Sequence, residues 1–465
     1  MRRSLLLFIG CIIAFAAPAQ EQEGARILTF EDAIQIALRN NVLLNTARNN
    51  MELAQAQKLS GIASLGPNIN ASGSASQFNG NSFNPNLGRA VNGIRDNYSA
   101  SINTNILIFN GFSSISYMRA SNELFDAATY FVQRTTQDIM NTVATQYLNV
   151  LVDIELLEIG LQNWEAQKKL LEQISEQVNV GSKSEVDRYN QDALTKQAEY
   201  NAVLAQVTLD NDRALLAQTL VIDAITNPFE VEKPSWNPAA MIDRPLKVDS
   251  LVEQAKIHRA DYLRAAKLED GYRHQAWGSL GNSMPSLVAI FNTGSSYNFV
   301  HGVHELNEDG SPNPNYPQQS FHDQFKTNNF YKQYGLSLNI PIFNGLRNRT
   351  AYVQNKITFR NNQLLHVGLN TQIRNDVLRA VRTYEGSKKA YIVGVDKLKA
   401  AETAFNYETE RFNLGVTSFV DYTNANRVFV QAQTDKAQAE YRLVFQKILI
   451  DYAVGTLRPE DIIGQ

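Results

Sequence analysis

The chain contains two halves that match each other at fixed distances along the sequence. The tetrapeptide Ile-Phe-Asn-Gly occurs at residues 108–111 and again at 342–345, an offset of 234 residues. The same offset relates six later identities: Asn179, Gly181, Ser184, Val186, Asp187 and Asn190 recur as Asn413, Gly415, Ser418, Val420, Asp421 and Asn424. Residues 28–32 align with 246–250 at an offset of 218. Because the offset changes only once, we predict two copies of one structural plan, with one loop longer by 16 residues in the second.

Proline placement separates the parts of each copy that can be helical from those that cannot. No proline occurs from Asn86 to Asn227 or from Ile342 to Arg458, and a proline inside a helix costs about 3 kcal/mol. The compositions of 111–179 and 345–413 predict helices of about 68 residues, roughly 100 Å long. Each copy is therefore predicted to contain a very long helical hairpin.

Glycine and hydroxyl residues mark where these hairpins turn. Gly181 and Gly415 favour the left-handed conformation that ends many helices. Ser182 or Ser184, and Thr417 or Ser418, could cap the returning helices, which we expect to reach Ile222 and Val454. A shorter helix is expected to open each copy, where Thr29 with Asp32 and Ser250 with Glu253 resemble capping boxes.

The regions 67–109 and 285–343 change to an alternation of period two, which predicts a strand pair in each copy. One face carries Tyr98, Ala100, Ile102, Thr104, Ile106 and Ile108, and in the second copy Tyr334, Leu336, Leu338, Ile340 and Ile342; Ser and Asn residues lie opposite. Turn-rich loops are expected at 80–96 and 302–328. This pattern suits a membrane β-barrel, although a half-buried sheet of a soluble protein also shows it. Because about eight strands are needed to close a barrel, four strands per chain require oligomerisation, and three chains would supply twelve.

The N-terminus predicts a secretory leader. Arg2 and Arg3, the apolar stretch 5–16 and the small residues at 17–19 predict a signal peptide over residues 1–19. A membrane anchor and lipidation of Cys11, the only cysteine, are the alternatives. After the leader no run of 18 apolar residues occurs, so a membrane role would have to use strands. The net charge of −3 gives no reason to expect a nucleic-acid partner.

No catalytic, cofactor or metal site is predicted. We find no phosphate-binding glycine motif and no nucleophile elbow. His301, His304 and Glu305 look like metal ligands, but they lie in a predicted polar loop, and the other histidines lack ligand spacing. We therefore divide the chain into a leader (1–19), a first repeat (20–227), a linker (228–245), a second repeat (246–458) and a tail (459–465).

Several motifs together resemble the TolC-like outer-membrane efflux proteins. They are residues 28–33 with 37–41, the two Ile-Phe-Asn-Gly elements, and the two hairpin tips at 180–187 and 414–421. The resemblance implies a mostly α protein that forms a homotrimer in a Gram-negative outer membrane. Its strands would form a 12-stranded transmembrane β-barrel, and its helical hairpins an α-barrel through the periplasm. It also implies two protein partners, a periplasmic adaptor and an inner-membrane transporter, and no cofactor.

The resemblance further implies a gate at the hairpin tips. Its acidic residues correspond to Asp187 and Asp421, which could form a ring of six carboxylates or simply stabilise helix starts. Phe412 stands where the family has a tyrosine, Thr417 where it has an arginine, and Asn424 where it has a second aspartate. Contact with the adaptor is implied for the tip residues Val180, Gly181, Ser184, Leu414, Gly415 and Ser418.

The sequence thus predicts a passive exit duct for small-molecule efflux. A duct for type I protein secretion is the alternative within this class. A periplasmic coiled-coil scaffold without a pore and a secreted enzyme are the alternatives from other classes; the strand alternation argues against the scaffold, and the enzyme lacks a catalytic constellation.

Overall fold

The computed structural model describes residues 26–84, 89–233, 246–301 and 319–459, with the single residues 238, 242 and 311. The predicted leader, including Cys11, and residues 460–465 lie outside this part of the chain.

The helices of the described residues fall into two sets with the same lengths. The first set is α1 (Phe30–Asn40), α2 (Val42–Ala63), α3 (Ser113–Asn179) and α4 (Glu185–Leu220); the second is α5 (Val248–His258), α6 (Ala260–Gly281), α7 (Arg347–Asn413) and α8 (Phe419–Val454). In both sets the lengths are 11, 22, 67 and 36 residues. At 1.5 Å per residue, α3 and α7 are rods of roughly 100 Å. Within the described residues, none of the helices is both long and apolar enough to span a membrane.

Each copy opens with two helices rather than the single one that we predicted. The Asn41 side chain accepts hydrogen bonds from the backbone N–H groups of Leu43 and Leu44 and so starts α2. Thr29 caps α1 through a 3.0 Å bond from the Asp32 N–H. The predicted cap at Ser250 is wrong, because α5 already begins at Val248 and its N-cap makes no side-chain hydrogen bond.

The strands form one four-stranded antiparallel sheet and one two-stranded parallel sheet. The large sheet has the order β2-β3-β5-β6, with β2 at Asn68–Asn84, β3 at Arg89–Asn110, β5 at Ser286–Val300 and β6 at Tyr331–Asn339. The small sheet pairs β1 (Arg26–Leu28) with β4 (Phe229–Val231). Of these two strands, β4 lies inside the segment 228–245 that we predicted as a linker. The segment 80–96, which we predicted as a loop, is largely strand, because β2 ends only at Asn84 and β3 already begins at Arg89.

The strand alternation fails at two places. β6 ends at Asn339, so Ile340 and Ile342 lie outside the strand; Pro341 cannot donate a ladder hydrogen bond and restricts the residue before it. In β3 the register with β5 shifts around Ile108, which therefore does not continue the predicted apolar row.

The core runs along the rods as three apolar clusters. The largest lies where α1, α3, α4 and α8 meet, and there the buried Tyr147 hydroxyl donates to the carbonyl groups of Leu28 and Glu232 at the small sheet. The second joins α5 to α7 and α8. The third lies close to the hairpin turns. Since α3 also packs against α6 and α8, the two repeats form one continuous body.

Candidate functional site at the hairpin tips and the sheet

Both hairpins reverse through the same backbone turn. Gly181 has a φ of 77° and Gly415 a φ of 72°, a conformation that costs other residues about 1–2 kcal/mol. A Cβ at either position would meet no atom within 4 Å. The backbone conformation, rather than crowding, therefore requires glycine at both tips.

The two predicted gate carboxylates each stabilise the start of a returning helix. The Asp187 N–H donates to Ser184 Oγ at 3.2 Å, and the Ser184 N–H donates back to Asp187 Oδ2 at 3.2 Å. At the other tip the Asp421 N–H donates to Ser418 Oγ at 3.1 Å, and that hydroxyl donates to Asp421 Oδ2 at 2.6 Å. The Ser418 hydroxyl bond lowers the pKa of the Asp421 carboxyl, with smaller contributions from the Ser418 N–H and Thr417. The helix-start role is thus present, and Asp421 remains exposed to solvent.

Phe412 lies inside the tip cluster rather than at the surface. Its side chain is buried, stacks on Tyr422 at a centroid distance of 4.9 Å, and packs with Leu170 and Ile174 of the first hairpin. We predicted Phe412 as a gate residue, and in the structure its side chain packs between the two hairpins. The spacing of Phe405 from Phe412, two helical turns, was the available signal for this buried stripe.

Lys183 is a tip residue that the sequence analysis did not single out. Its Nζ lies 3.7 Å from the centroid of the Phe412 ring, so a cation from the first tip rests on an aromatic face of the second hairpin. Burial lowers the pKa of the Lys183 ammonium, and the nearby charge of Asp187 opposes this effect. The contact joins the two repeats at the end of the rods.

The remaining predicted gate residues lie at the second tip. Thr417 Oγ1 is 3.5 Å from Asp421 Oδ2, at the limit of a hydrogen bond. Asn424 is exposed one turn into α8. Arg411 forms a 2.6 Å ion pair with Glu408 on its own helix. These side chains are therefore near Asp421 without forming a bonded network with the first tip.

The tips carry aliphatic side chains that point into solvent. Val180 is 79% exposed and Leu414 is 77% exposed. Their exposed neighbours are Val186, Val416 and Val420. Clustered exposed apolar residues at the end of a rod are typical of a protein-binding surface.

The large sheet has one polar face. Ser72 and Ser101 share a 2.8 Å hydroxyl contact, as do Ser74 and Ser99, across β2 and β3. The opposite face is apolar: Tyr98 stacks on Tyr297, and the facing pairs on β5 and β6 are Leu287 with Leu338, Ala289 with Leu336, and Phe291 with Tyr334. The predicted two-faced sheet is therefore present.

The segment 319–330, which precedes β6 in the longer loop of the second copy, folds against β5. The Gln324 side chain accepts from the Asn298 N–H at 3.1 Å and donates to the Asn298 carbonyl at 3.1 Å. Asn329 donates to the Ser296 carbonyl at 2.8 Å. Because β6 begins opposite Gly294, these amides satisfy the part of the β5 edge that β6 does not reach. We predicted an open polar loop here, and the structure contains a π-helix at residues 323–328.

The histidines that resembled metal ligands do not form a site in the described part of the chain. His301 Nε2 lies 2.8 Å from Asp96 Oδ2. His304 and Glu305 lie outside the described residues. No group of three or more His, Cys, Asp or Glu side chains among the described residues could hold a metal ion.

The chain is similar in sequence to known outer-membrane proteins. The family model described as "Outer membrane efflux protein" matches residues 33–220 and 306–456. The chain is 25% identical over 388 residues to outer membrane protein TolC of Escherichia coli strain K12, covering 81% of this chain and 73% of that protein. It is 20% identical over 386 residues to TolC of Vibrio cholerae serotype O1, and the match covers 79% of this chain and 78% of that protein.

Solved structures share the fold. The outer membrane protein VceC of Vibrio cholerae matches with a TM-score of 0.77 at 14% identity, covering 92% of this chain and 96% of VceC. The Campylobacter jejuni CmeC outer membrane channel matches with a TM-score of 0.77 at 16% identity, and the match covers 93% of this chain and 88% of CmeC. Long helical hairpins joined to a small number of strands are thus the architecture of both.

Proposed function

Because the chain belongs to the outer membrane efflux protein family, we propose that it is the exit duct of a tripartite efflux system. The family consists of outer-membrane channel proteins, and the chain is an outer-membrane protein with a periplasmic helical part. In the proposed system an inner-membrane transporter supplies the energy and a periplasmic adaptor links it to the duct. The duct itself contributes a water-filled path and no catalysis.

The observation that carries this proposal is the open four-stranded sheet. Its order leaves β2 and β6 as unpaired edges, and one of its faces is apolar. An exposed edge of this length is a template for pairing with another chain, and a barrel needs about eight strands or more. Three copies pairing β6 of one with β2 of the next give a closed twelve-stranded barrel with the serine-lined face inward.

The tips are the proposed periplasmic mouth. In a trimer Asp187 and Asp421 of each chain would form a ring of six carboxylates, which favours cations over anions. Phe412 and Lys183 hold the first and second hairpins of one chain together behind this ring.

The exposed aliphatic residues of the tips are the proposed adaptor surface. Val180 and Leu414 lie beside the turn glycines, at the far end of the rods from the sheet. Binding of an adaptor would remove these side chains from water, which is favourable by about 25 cal/mol per Å² of apolar area.

Function is tested by complementation of a Gram-negative strain that lacks its own duct. We expect the chain to require detergent for extraction, to be a trimer in detergent, and to restore dye efflux when its cognate adaptor and pump are present. Restored secretion of a protein substrate without dye efflux would identify a type I secretion duct instead. A monomer that is extracted by salt alone would contradict the duct.

Adaptor docking is tested by the double variant Val180→Asp with Leu414→Asp. We expect efflux to fall at least tenfold while the amount of outer-membrane trimer is unchanged. Ile225→Asp is the matched control, because Ile225 is 93% exposed but lies at the opposite end of α4 from the tip. Equal efflux in the double variant and the control would place the docking surface elsewhere.

A further inference from the structure

A cleft of about 800 Å³ lies between segment 319–330 and the apolar face of the sheet. Small side chains on neighbouring strands form its floor, among them Ala71, Gly73 and Ala100. Phe321, Phe325 and Phe330 of the segment line its other side, which leaves an apolar slot open to the surroundings.

The cleft is held in a defined shape. Phe321 packs edge-to-face on Tyr297 at 5.1 Å between ring centroids, and it stacks on Phe325 at 5.0 Å. The Ser295 hydroxyl donates to the Phe325 carbonyl. Together with the amide bonds of Gln324 and Asn329 to the β5 edge, these contacts fix the segment over the strands.

The cleft lies part-way along the sheet, since β2 and β3 continue beyond it to Asn84 and Arg89. Ala100 is ten residues from the end of β3 at Asn110, close to where α3 begins, and ten residues span about 34 Å along an antiparallel strand. Strands of membrane barrels are tilted by about 35–45° and the hydrocarbon core is about 30 Å thick. The cleft therefore lies near the outer boundary of the membrane in the proposed duct.

Two lysines and a histidine flank the apolar slot. His322 and Lys326 line it, and Lys332 Nζ lies 5.7 Å from the Phe330 ring centroid. Lys326 has no carboxylate partner among the described residues. Asp323, the acidic residue of the same turn, does not line the cleft and accepts a 2.7 Å hydrogen bond from Ser320.

We propose that this cleft binds an anionic phospholipid of the membrane, with an acyl chain in the slot and the phosphate on Lys326. The inference rests on the proposed function, because it requires the apolar face to contact lipid. An apolar channel beside an ammonium that has no carboxylate partner in the described part of the chain matches the two parts of such a lipid, since lysine binds phosphate as a point charge and basic residues at a membrane surface attract anionic lipids.

Tryptophan quenching by brominated lipids tests the site in the full-length trimer. With Trp164, Trp236 and Trp277 replaced by Phe, the variant Phe330→Trp places the only tryptophan at the cleft. Leu338→Trp in the same background is the control, since Leu338 is on the apolar face but does not line the cleft. Each is reconstituted in vesicles of brominated phosphatidylglycerol or of brominated phosphatidylcholine.

We expect phosphatidylglycerol to quench Phe330→Trp at least threefold more strongly than phosphatidylcholine, and Lys326→Gln to abolish this difference. The Leu338→Trp control should be quenched equally by both lipids. Equal quenching of Phe330→Trp by the two lipids, or a preference that survives Lys326→Gln, would overturn the lipid site. Absence of quenching at Leu338→Trp in both would instead contradict the membrane position of the sheet, so the two failures are distinguishable.

Discussion

The ammonium of Lys183 rests 3.7 Å above the centre of the Phe412 ring and so connects the tip of the first hairpin to the body of the second. A cation–π contact contributes about 0.5–1 kcal/mol at an exposed site and about 2 kcal/mol when desolvated. Phe412 is buried and Lys183 is half-buried, which places this contact near 1 kcal/mol. The contact therefore biases the arrangement of the two tips without fixing it.

Replacing Lys183 with Met should loosen the mouth. Met retains much of the apolar packing but removes the charge, and a loss of about 1 kcal/mol per protomer corresponds to a roughly fivefold change in an equilibrium. We expect a higher open fraction of single channels in planar bilayers. Lys183→Arg should behave as the unchanged protein, because arginine also makes cation–π contacts.

Lys169→Met is the matched control for this measurement. Lys169 lies on α3 with its side chain 74% exposed, and its one ion pair with a described residue is a 4.0 Å contact with Glu165. An open fraction that rises equally in Lys169→Met and Lys183→Met would show that surface charge, and not the contact with Phe412, controls the mouth.

The sequence was sufficient where a local rule decides the structure. Proline-free stretches and the turn glycines predicted two long hairpins, and Ser184 and Ser418 cap the returning helices as one of the two predicted options at each tip. Period-two alternation predicted the two-faced sheet. Each of these features follows from residue types and spacing within one continuous segment of the chain.

The sequence was insufficient where contacts join distant segments. The burial of Phe412 and its contact with Lys183 depend on how two separate hairpins pack, which no periodicity reveals. The folding of segment 319–330 onto β5 likewise depends on β6 beginning only at Tyr331, opposite Gly294, which leaves the last residues of β5 without a strand partner on that side. The failed cap at Ser250 shows that a capping pattern two residues inside a helix can be misleading.

Neutralising the tip carboxylates should reduce cation selectivity. We propose the double variant Asp187→Asn with Asp421→Asn, because the amide oxygen can still accept the hydrogen bonds from Ser184 and Ser418. The reversal potential in a salt gradient should move toward zero. Asp210→Asn is the control, since this exposed residue lies on α4 away from the tip. An equal shift of the reversal potential in the control would show that the carboxylates at the tips do not determine the selectivity.

Asp153 should make stability depend on pH. Its side chain is 9% exposed and its Oδ2 atom has no hydrogen-bond partner among the described residues. Burial, followed by the charge of Asp212, raises the pKa of Asp153 from 3.8 to about 6. Because the folded pKa exceeds the unfolded value, the stabilisation by the bound proton is complete below pH 3.8 and is lost as pH rises through about 6.

Asp153→Asn should therefore stabilise the protein at pH 7.5. A shift of one pKa unit is about 1.4 kcal/mol, and because Asp212 is half-exposed and screened, we expect a gain of about 1–2 kcal/mol in the free energy of unfolding. The gain should disappear near pH 4, as measured by thermal unfolding followed by circular dichroism. Asp192→Asn, at an exposed position of α4, should show no such dependence, and a pH-independent gain in Asp153→Asn would contradict the proton-linked explanation.

The two Ile-Phe-Asn-Gly motifs allow backbone strain and crowding to be separated. Gly111 and Gly345 have nearly the same φ, 64° and 66°, so replacement by Ala should cost each about 1–2 kcal/mol. A Cβ at Gly111 would also lie 2.6 Å from the Gly281 carbonyl oxygen and 2.6 Å from the Met284 Cβ, whereas a Cβ at Gly345 meets nothing within 4 Å of its own chain. Gly111→Ala should therefore cost about 1–3 kcal/mol more than Gly345→Ala. The measurement is the apparent melting temperature of each purified variant, and equal losses would mean that a neighbouring subunit crowds Gly345 as closely as Gly281 crowds Gly111.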